Sequence, residues 1–192
     1  MIFECSCKEH GIFINRTVWL MDYSVDNLRK LWEKSSEHRI LFSDDVNGNF
    51  QKFCSIFLSQ DPNTGNLFSN GLVWVVDDFV GILFMSQIHG DEALLHFSFF
   101  DGRLRYDISR RMIDYIFSEY KFNRLNAEIV PFASKRVFSF IESLGFRREG
   151  KKRKALSYKD ERFDLLLYGL LREEFYEWDT KNVPLEVAQL RV

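Results

Sequence analysis

The sequence predicts an α/β sandwich built on a sheet of mixed strand direction. Three observations carry that expectation. Strand-like and helix-like stretches alternate along the chain, in the order β-α-α-β-β-β-α-β-α-β-β. The helical stretches place apolar residues at i, i+3, i+4 spacing, and the strand stretches are β-branched or alternate. At 192 residues the chain suits one domain with a sizeable core.

Residues 11–20 (GIFINRTVWL) read as the first strand. Ser24 is placed to cap a helix to about Glu37, with Val25, Leu28, Leu31 and Trp32 on one face. A second helix is expected from Phe50 to Ser59, its apolar face being Phe50, Phe53, Cys54, Phe57 and Leu58. The turn-rich segment Asp61–Asn66 ends it. Leu72–Val76 and Phe79–Met85 flank Asp77-Asp78 as a hairpin, and Ala93–Phe100 is a third strand. On that strand Leu95, Phe97 and Phe99 point one way, and Leu94, His96, Ser98 and Phe100 the other. Asp107 reads as the N-cap of a helix burying Ile108, Met112, Ile113, Ile116 and Phe117. Leu125–Val130 is a strand stopped by Pro131. Ser134 caps a helix that Gly145 terminates. Lys154–Tyr158 and Arg162–Leu170 form a last hairpin, and the tail from Arg172 reads as a short helix with a loose end. The crossover at 93–130 is expected to be right-handed. Residues 1–175 are expected to form the domain and 176–192 a tail.

Composition narrows the function classes. Hydrophobic residues make up 46% and charged residues 28%, a globular balance. Twenty Phe require aromatic burial in a core, a groove or an interface. A net charge of −2 gives no global polycation, so neither nucleic acid nor a membrane is the expected partner. Basic residues cluster locally, at Arg103–Arg111 and at Arg147–Lys154; such runs serve as solvated faces or as phosphate receivers. Three Cys argue against a disulfide framework, and Cys5-x-Cys7 with His10 lacks the spacing and ligand number of structural zinc, so no metal is expected. Glu4 interrupts any leader, and Gly71–Met85 is too short and too acidic in its middle to span a bilayer, which makes a cytoplasmic protein the expectation.

Two segments carry a resemblance: VPFASKRVFSFIESLGFRREG (130–150) and SYKDERFDLLLYGLLREEF (157–175). Their features are Gly145-Phe146 at a helix end, Glu149-Gly150, a hydrophilic turn at Lys159–Arg162, the Asp-led strand Asp164–Leu167 and the close Leu170–Glu174. With the element order, they resemble the GNAT superfamily, in the branch that acetylates N-termini of ribosomal proteins. The resemblance implies a mixed, mostly antiparallel sheet with helices on both faces and one splayed parallel strand pair. It places the splay between strands 93–100 and 125–130, leaving the main pocket there, with acetyl-CoA as cosubstrate. The acyl end would lie along Phe99 and Phe100. The pyrophosphate would sit on Arg103, Leu104, Arg105, Tyr106, Asp107 and Ile108, where free N–H groups and the helix dipole favour an anion. Ser134 and Arg136, at the start of the next helix, complete the cofactor set.

The sequence departs from the family pattern at two places. The phosphate loop lacks the family's glycines after Gly102, so Arg103 and Arg105 would hold the anion by charge-assisted hydrogen bonds. The position of the tyrosine that many members use as general acid is Ile141, which has no proton to give. Acetyl transfer also needs a base, best with a pKa near 7. His96 is the first candidate, beside the splay with Ser98 on its side, and Glu128 is the second, beside Asn126 on the other strand. His96 and Glu128 read equally as structural residues. Tyr158 and Tyr168 would lie at a substrate lip. No Ser-His-Asp set or nucleotide fingerprint is present. The sequence thus implies an N-acetyltransferase acting on a small amine or peptide N-terminus by direct transfer. Its rival is a GNAT-fold binding or structural protein that has lost this chemistry. Oligomers are compatible with either.

Overall fold

The computed structural model describes residues 2–9, 12–36, 46, 48–101 and 106–182. Its centre is an eight-stranded sheet in the order β1-β2-β5-β6-β7-β8-β10-β9. The strands are β1 (Ile2–Glu9), β2 (Ile12–Leu20), β5 (Gly71–Val76), β6 (Gly81–His89), β7 (Glu92–Phe99), β8 (Arg124–Ile129), β9 (Arg147–Tyr158) and β10 (Glu161–Leu171). β3 (Leu58–Gln60) and β4 (Leu67–Ser69) pair separately. The helices are α1 (Val25–Ser36), α2 (Phe50–Phe57), α3 (Tyr106–Tyr120), α4 (Lys135–Ser143) and α5 (Arg172–Asn182). Every neighbouring pair in the large sheet is antiparallel except β7 with β8. This is the mixed, mostly antiparallel sheet that the resemblance implies.

The sheet divides two cores by simple alternation. Val73, Val75, Ile82 and Phe84 face Leu28 and Leu31 of α1 and Phe53 and Phe57 of α2. Trp74, Val76, Leu83, Met85, Ala93 and Leu95 face α3, α4 and α5. β5 is buried on both faces, which is why it reads as a continuous apolar run. β8 alternates: Leu125, Ala127 and Ile129 enter the α3/α4 core, and Arg124, Asn126 and Glu128 turn to the other face.

Several expectations shift in detail. β1 was not expected, because its charged and cysteine residues give no alternating signal. α2 stops at Phe57, and Leu58 extends into β3. The β5–β6 turn is longer than Asp77-Asp78. Phe79 sits in it at φ 56, buried, and not in a strand. Asp77 pins that turn to β2: its carboxylate accepts from Arg16 at 2.6 Å and from the Thr17 amide at 2.9 Å. β9 begins at Arg147, so the basic run lies on an edge strand. α3 begins at Tyr106, which puts Asp107 inside the first turn, where its charge meets the helix dipole, and not at the cap. Ser24 does cap α1, accepting from the Asn27 amide at 3.4 Å. Gly145 ends α4 at φ 99, a conformation that favours glycine. The expected boundary between residues 175 and 176 falls inside α5, whose Phe175 is fully buried.

Candidate functional site

The ladder between β7 and β8 has three rungs: Glu92 with Arg124, Ala93 with Leu125 and Leu94 with Asn126. From Leu95 and Ala127 onward the strands no longer pair with each other. β7 keeps its other edge on β6, and β8 keeps its other edge on β10. The facing backbone edges are therefore left open, and buried N–H and C=O groups require a partner. The expected splay is present where it was expected.

Aromatic rings wall the cleft on the α4 side. Phe140 meets Phe97 edge-on at 6.0 Å and Phe99 at 6.4 Å. Phe97 and Phe99 pack against the α3/α4 core, while Phe100 turns to the α1/α2 core. Phe97 and Phe140 escaped the sequence reading as site residues. The signal was the Phe content, which composition alone does not localise.

The two base candidates share the face opposite to α4. Each lies two residues beyond the last rung, His96 on β7 and Glu128 on β8, so the splay brings them to the same level. The His96 ring stacks on Phe84 at 5.6 Å, and its Nε2 lies 3.4 Å from Ser86 Oγ. Burial pushes its pKa down to about 4, because the charged imidazolium is poorly solvated there. This is well below the value that suits a general base at neutral pH. Glu128 is partly buried and lies 3.9 Å from Lys152.

Of the cofactor residues expected from the sequence, Arg103, Leu104 and Arg105 lie outside the described residues. Tyr106 and Asp107 occupy the first turn of α3. The Ile108 side chain is fully buried in the core, which leaves only its backbone to a ligand. Ser109 follows, fully buried, with a hydroxyl that has no hydrogen-bond partner among the described residues. Ser134 is the N-cap residue of α4, yet its exposed side chain makes no capping bond. Arg136 is exposed on the same turn. Ile141 is 5% exposed and belongs to the core.

Tyr168 is not at a lip. It is buried on the α4 face and donates to Glu142 Oε1 at 3.4 Å, with burial raising its pKa. Tyr158 does lie at the hairpin end, stacked on Phe132. A shallow pocket of about 390 Å³, lined by Asn123, Leu171, Arg172, Glu173 and Tyr176, sits at the other end of β8, away from the splay.

Residues 72–167, half of the chain and the part that holds the splay, match the family described as Acetyltransferase (GNAT) domain. The chain belongs to this family. Solved structures share the fold of this GNAT domain at low sequence identity. Ribosomal-protein-S5-alanine acetyltransferase from Vibrio fischeri is 16% identical with a TM-score of 0.58, covering 83% of this chain and 94% of its own. Mutant forms of the spermidine/spermine N-acetyltransferase SpeG from Vibrio cholerae are 13% identical with a TM-score of 0.64, covering 85% and 98%. Mycobacterium smegmatis RimJ in complex with CoA-disulfide is 17% identical with a TM-score of 0.62, covering 83% of each chain. No curated protein matches this GNAT chain. Among its described residues no helix is long and apolar enough to cross a membrane.

Proposed function

We propose that this GNAT domain is an acetyl-CoA-dependent N-acetyltransferase that transfers the acetyl group directly to a small amine or a peptide N-terminus. The observation that carries the reading is the three-rung ladder that opens after Leu94 and Asn126. The donor set suits an acyl-CoA. Open backbone edges of β7 and β8 fit an amide-containing arm, and Phe97, Phe99 and Phe140 fit its apolar parts. The N-terminus of α3 suits a pyrophosphate, and the buried Ser109 hydroxyl in that first turn has no hydrogen-bond partner among the described residues. Arg103 and Arg105 precede this turn, and Ser134 and Arg136 start α4 on the other side of the cleft.

Acetyl-CoA, when bound, supplies an activated acetyl thioester. The chain's own part is to hold the amine on the open face of the splay, to exclude water with the phenylalanine wall, and to take the amine proton. His96 is the first acceptor, through Nδ1, because Nε2 meets Ser86 Oγ at 3.4 Å. Burial keeps the ring neutral at physiological pH, so its nitrogen is available, as a weak base. Ser86 Oγ steadies the ring. Glu128 is the second acceptor, across the same gap.

A second reading, a GNAT-fold binding protein without chemistry, draws on Ile141 in the acid position and on the low pKa of His96. Denaturation with and without acetyl-CoA tests the first. Ligand at 100 times its Kd stabilises by about 2.7 kcal/mol, and Arg103→Ala or Arg105→Ala is expected to weaken that binding. Absence of any stabilisation removes the enzyme reading. Binding without turnover on any amine favours the second.

A further inference from the structure

The open face of the splay continues into a half-sheet that neither α1 nor α2 covers: no described residue of β8, β9 or β10 belongs to the core beneath those helices. Leu165 and Leu167 lie there, partly buried and in neither core, alternating with Leu166 and Tyr168, which face α4. Leu167 is the register partner of Glu128, and Leu165 is that of Lys152. Glu128 and Lys152 therefore share the open face, on the two strands that flank β10. The Lys152 side chain reaches back across β10, and its Nζ comes to 3.9 Å from Glu128 Oε1. Its stem crosses the leucines while its charged head meets the carboxylate. Past the C-terminal end of β8, three rings close this shelf: Phe132 stacks on Tyr158 at 5.1 Å and meets Phe163 edge-on at 5.2 Å.

The neighbouring lysines are placed differently. Lys151 stands opposite Leu166, on the α4 face, and pairs with Asp164 at 3.0 Å. Lys154 follows in a bulge at φ 50, its backbone amide donating to Asp164 Oδ1 at 2.9 Å. Of the lysine ion pairs among the described residues, only that of Lys152 reaches a proton acceptor of the splay. An amine that is to be acetylated must come within about 2.6–3.2 Å of the group that takes its proton. Lys152 Nζ stands just outside that reach of Glu128, and its side chain is 64% exposed, which leaves the head free to swing over the splay.

We infer, on the N-acetyltransferase reading above, that Lys152 is a self-acetylation site: the chain transfers an acetyl group from acetyl-CoA to its own Lys152 Nζ, within one molecule. The Lys152 ammonium gives one proton to Glu128, and the freed nitrogen lone pair attacks the thioester carbonyl carbon. The C–N bond forms and the C–S bond breaks. A second nitrogen proton passes to the departing thiolate, which leaves as the CoA thiol, and Glu128 returns the first proton to solvent. The product side chain is a neutral amide. It takes the ammonium away from Glu128 and leaves that carboxylate to an external amine.

The test uses the full chain. Acetyl-CoA binding is measured first by calorimetry. The chain is then incubated with acetyl-CoA carrying a deuterated acetyl group, and the label is mapped and timed at each lysine by peptide mass spectrometry. Lys152 is expected to take the label faster than Lys151 and Lys154 by roughly tenfold or more, because only its amine is held at the splay. Urea-unfolded chain is expected to lose that difference, and the fraction labelled per unit time is expected not to change with protein concentration. Glu128→Gln, checked for an unchanged unfolding midpoint, is expected to slow labelling of Lys152 by roughly tenfold or more and to leave Lys151 as it was. Labelling of Lys152 no faster than that of Lys151 and Lys154, a rate that rises with protein concentration, or a rate that Glu128→Gln leaves unchanged overturns the inference. Transfer to spermidine or to a hexapeptide with a free N-terminus, measured in the same samples, separates the two claims: transfer to either without label on Lys152 overturns self-acetylation and leaves the enzyme reading intact. If acetyl-CoA does not bind, the enzyme reading fails and self-acetylation with it.

Discussion

The two ends of the β7–β8 pair are built from opposite materials. At the laddered end, polar side chains tie the strands. Arg124 donates from Nε to Asn126 Oδ1 at 2.7 Å, Asn126 donates from Nδ2 to Glu92 Oε2 at 3.0 Å, and Arg124 also pairs with Glu149 of β9. Gly169 lies under that pair; a Cβ there would stand 2.4 Å from Arg124 Nη2. At the open end no such tie is made among the described residues. Phe97, Phe99 and Phe140 fill the space on one face, and Phe99 presses on Gly81, where a Cβ would stand 2.4 Å from its ring. The opening is thus a packed feature of the sheet. Hydrogen bonds hold one end together, and ring volume fills the other.

Substitutions at the two ends are expected to differ in size. Phe140→Ala removes the ring that joins α4 to the open end, and is expected to cost ~3–5 kcal/mol in denaturant unfolding. A cost under about 1 kcal/mol would mean that the wedge carries no weight.

His96, on the other face of the open end, contributes through protons. Its folded pKa of about 4 lies below the ordinary 6.5. Above pH 6.5 both folded and unfolded forms are neutral. As pH falls from 6.5 toward 4 the unfolded chain takes a proton that the folded chain refuses, so stability drops by up to ~3 kcal/mol. His96→Gln is expected to remove that part of the acid loss, read from unfolding curves between pH 7 and 4. If His96 is the proton acceptor, the same variant lowers kcat/KM by roughly 10²–10⁴, and the acidic limb of the wild-type profile lies near pH 4, not near 6.5. A limb that persists in the variant transfers the role to Glu128.

Gly81→Val, which drives a branched side chain into Phe99 and the Ser98 carbonyl, is expected to cost ~1–3 kcal/mol. Arg124→Ala at the tied end is expected to cost about 1 kcal/mol or less, because Glu92 and Glu149 stay partly solvated. A larger loss there than from Phe140→Ala would reverse the comparison.

The sequence reveals this division unevenly. α3 and β8 were legible because their buried faces, Ile108 to Phe117 and Leu125 to Ile129, follow helix and strand periods. The splay came from the GNAT resemblance, since local pattern does not say where two strands stop pairing. The ring wall and the Phe132 trio were not legible: a ring's role depends on which distant ring it meets, and Phe132 and Phe163 are 31 positions apart. His96 and Glu128 were placed on one face by counting along strands. The low pKa of His96 comes from burial, to which neighbours on other strands such as Phe84 contribute. The basic run, read as a solvated face or a phosphate receiver, became an edge strand because Gly145 turns the chain after α4 and sends it back along β10.

Hydrogen exchange with and without acetyl-CoA reads the open backbone edges of β7 and β8 directly, where the cofactor is proposed to bind. Amides within Leu95–Phe99 and Ala127–Ile129 are expected to gain protection with ligand, together with the first turn of α3, while β5 and α1 do not change. Protection confined to the pocket around Asn123 and Tyr176, or no change at the splay under saturating acetyl-CoA, would contradict that placement.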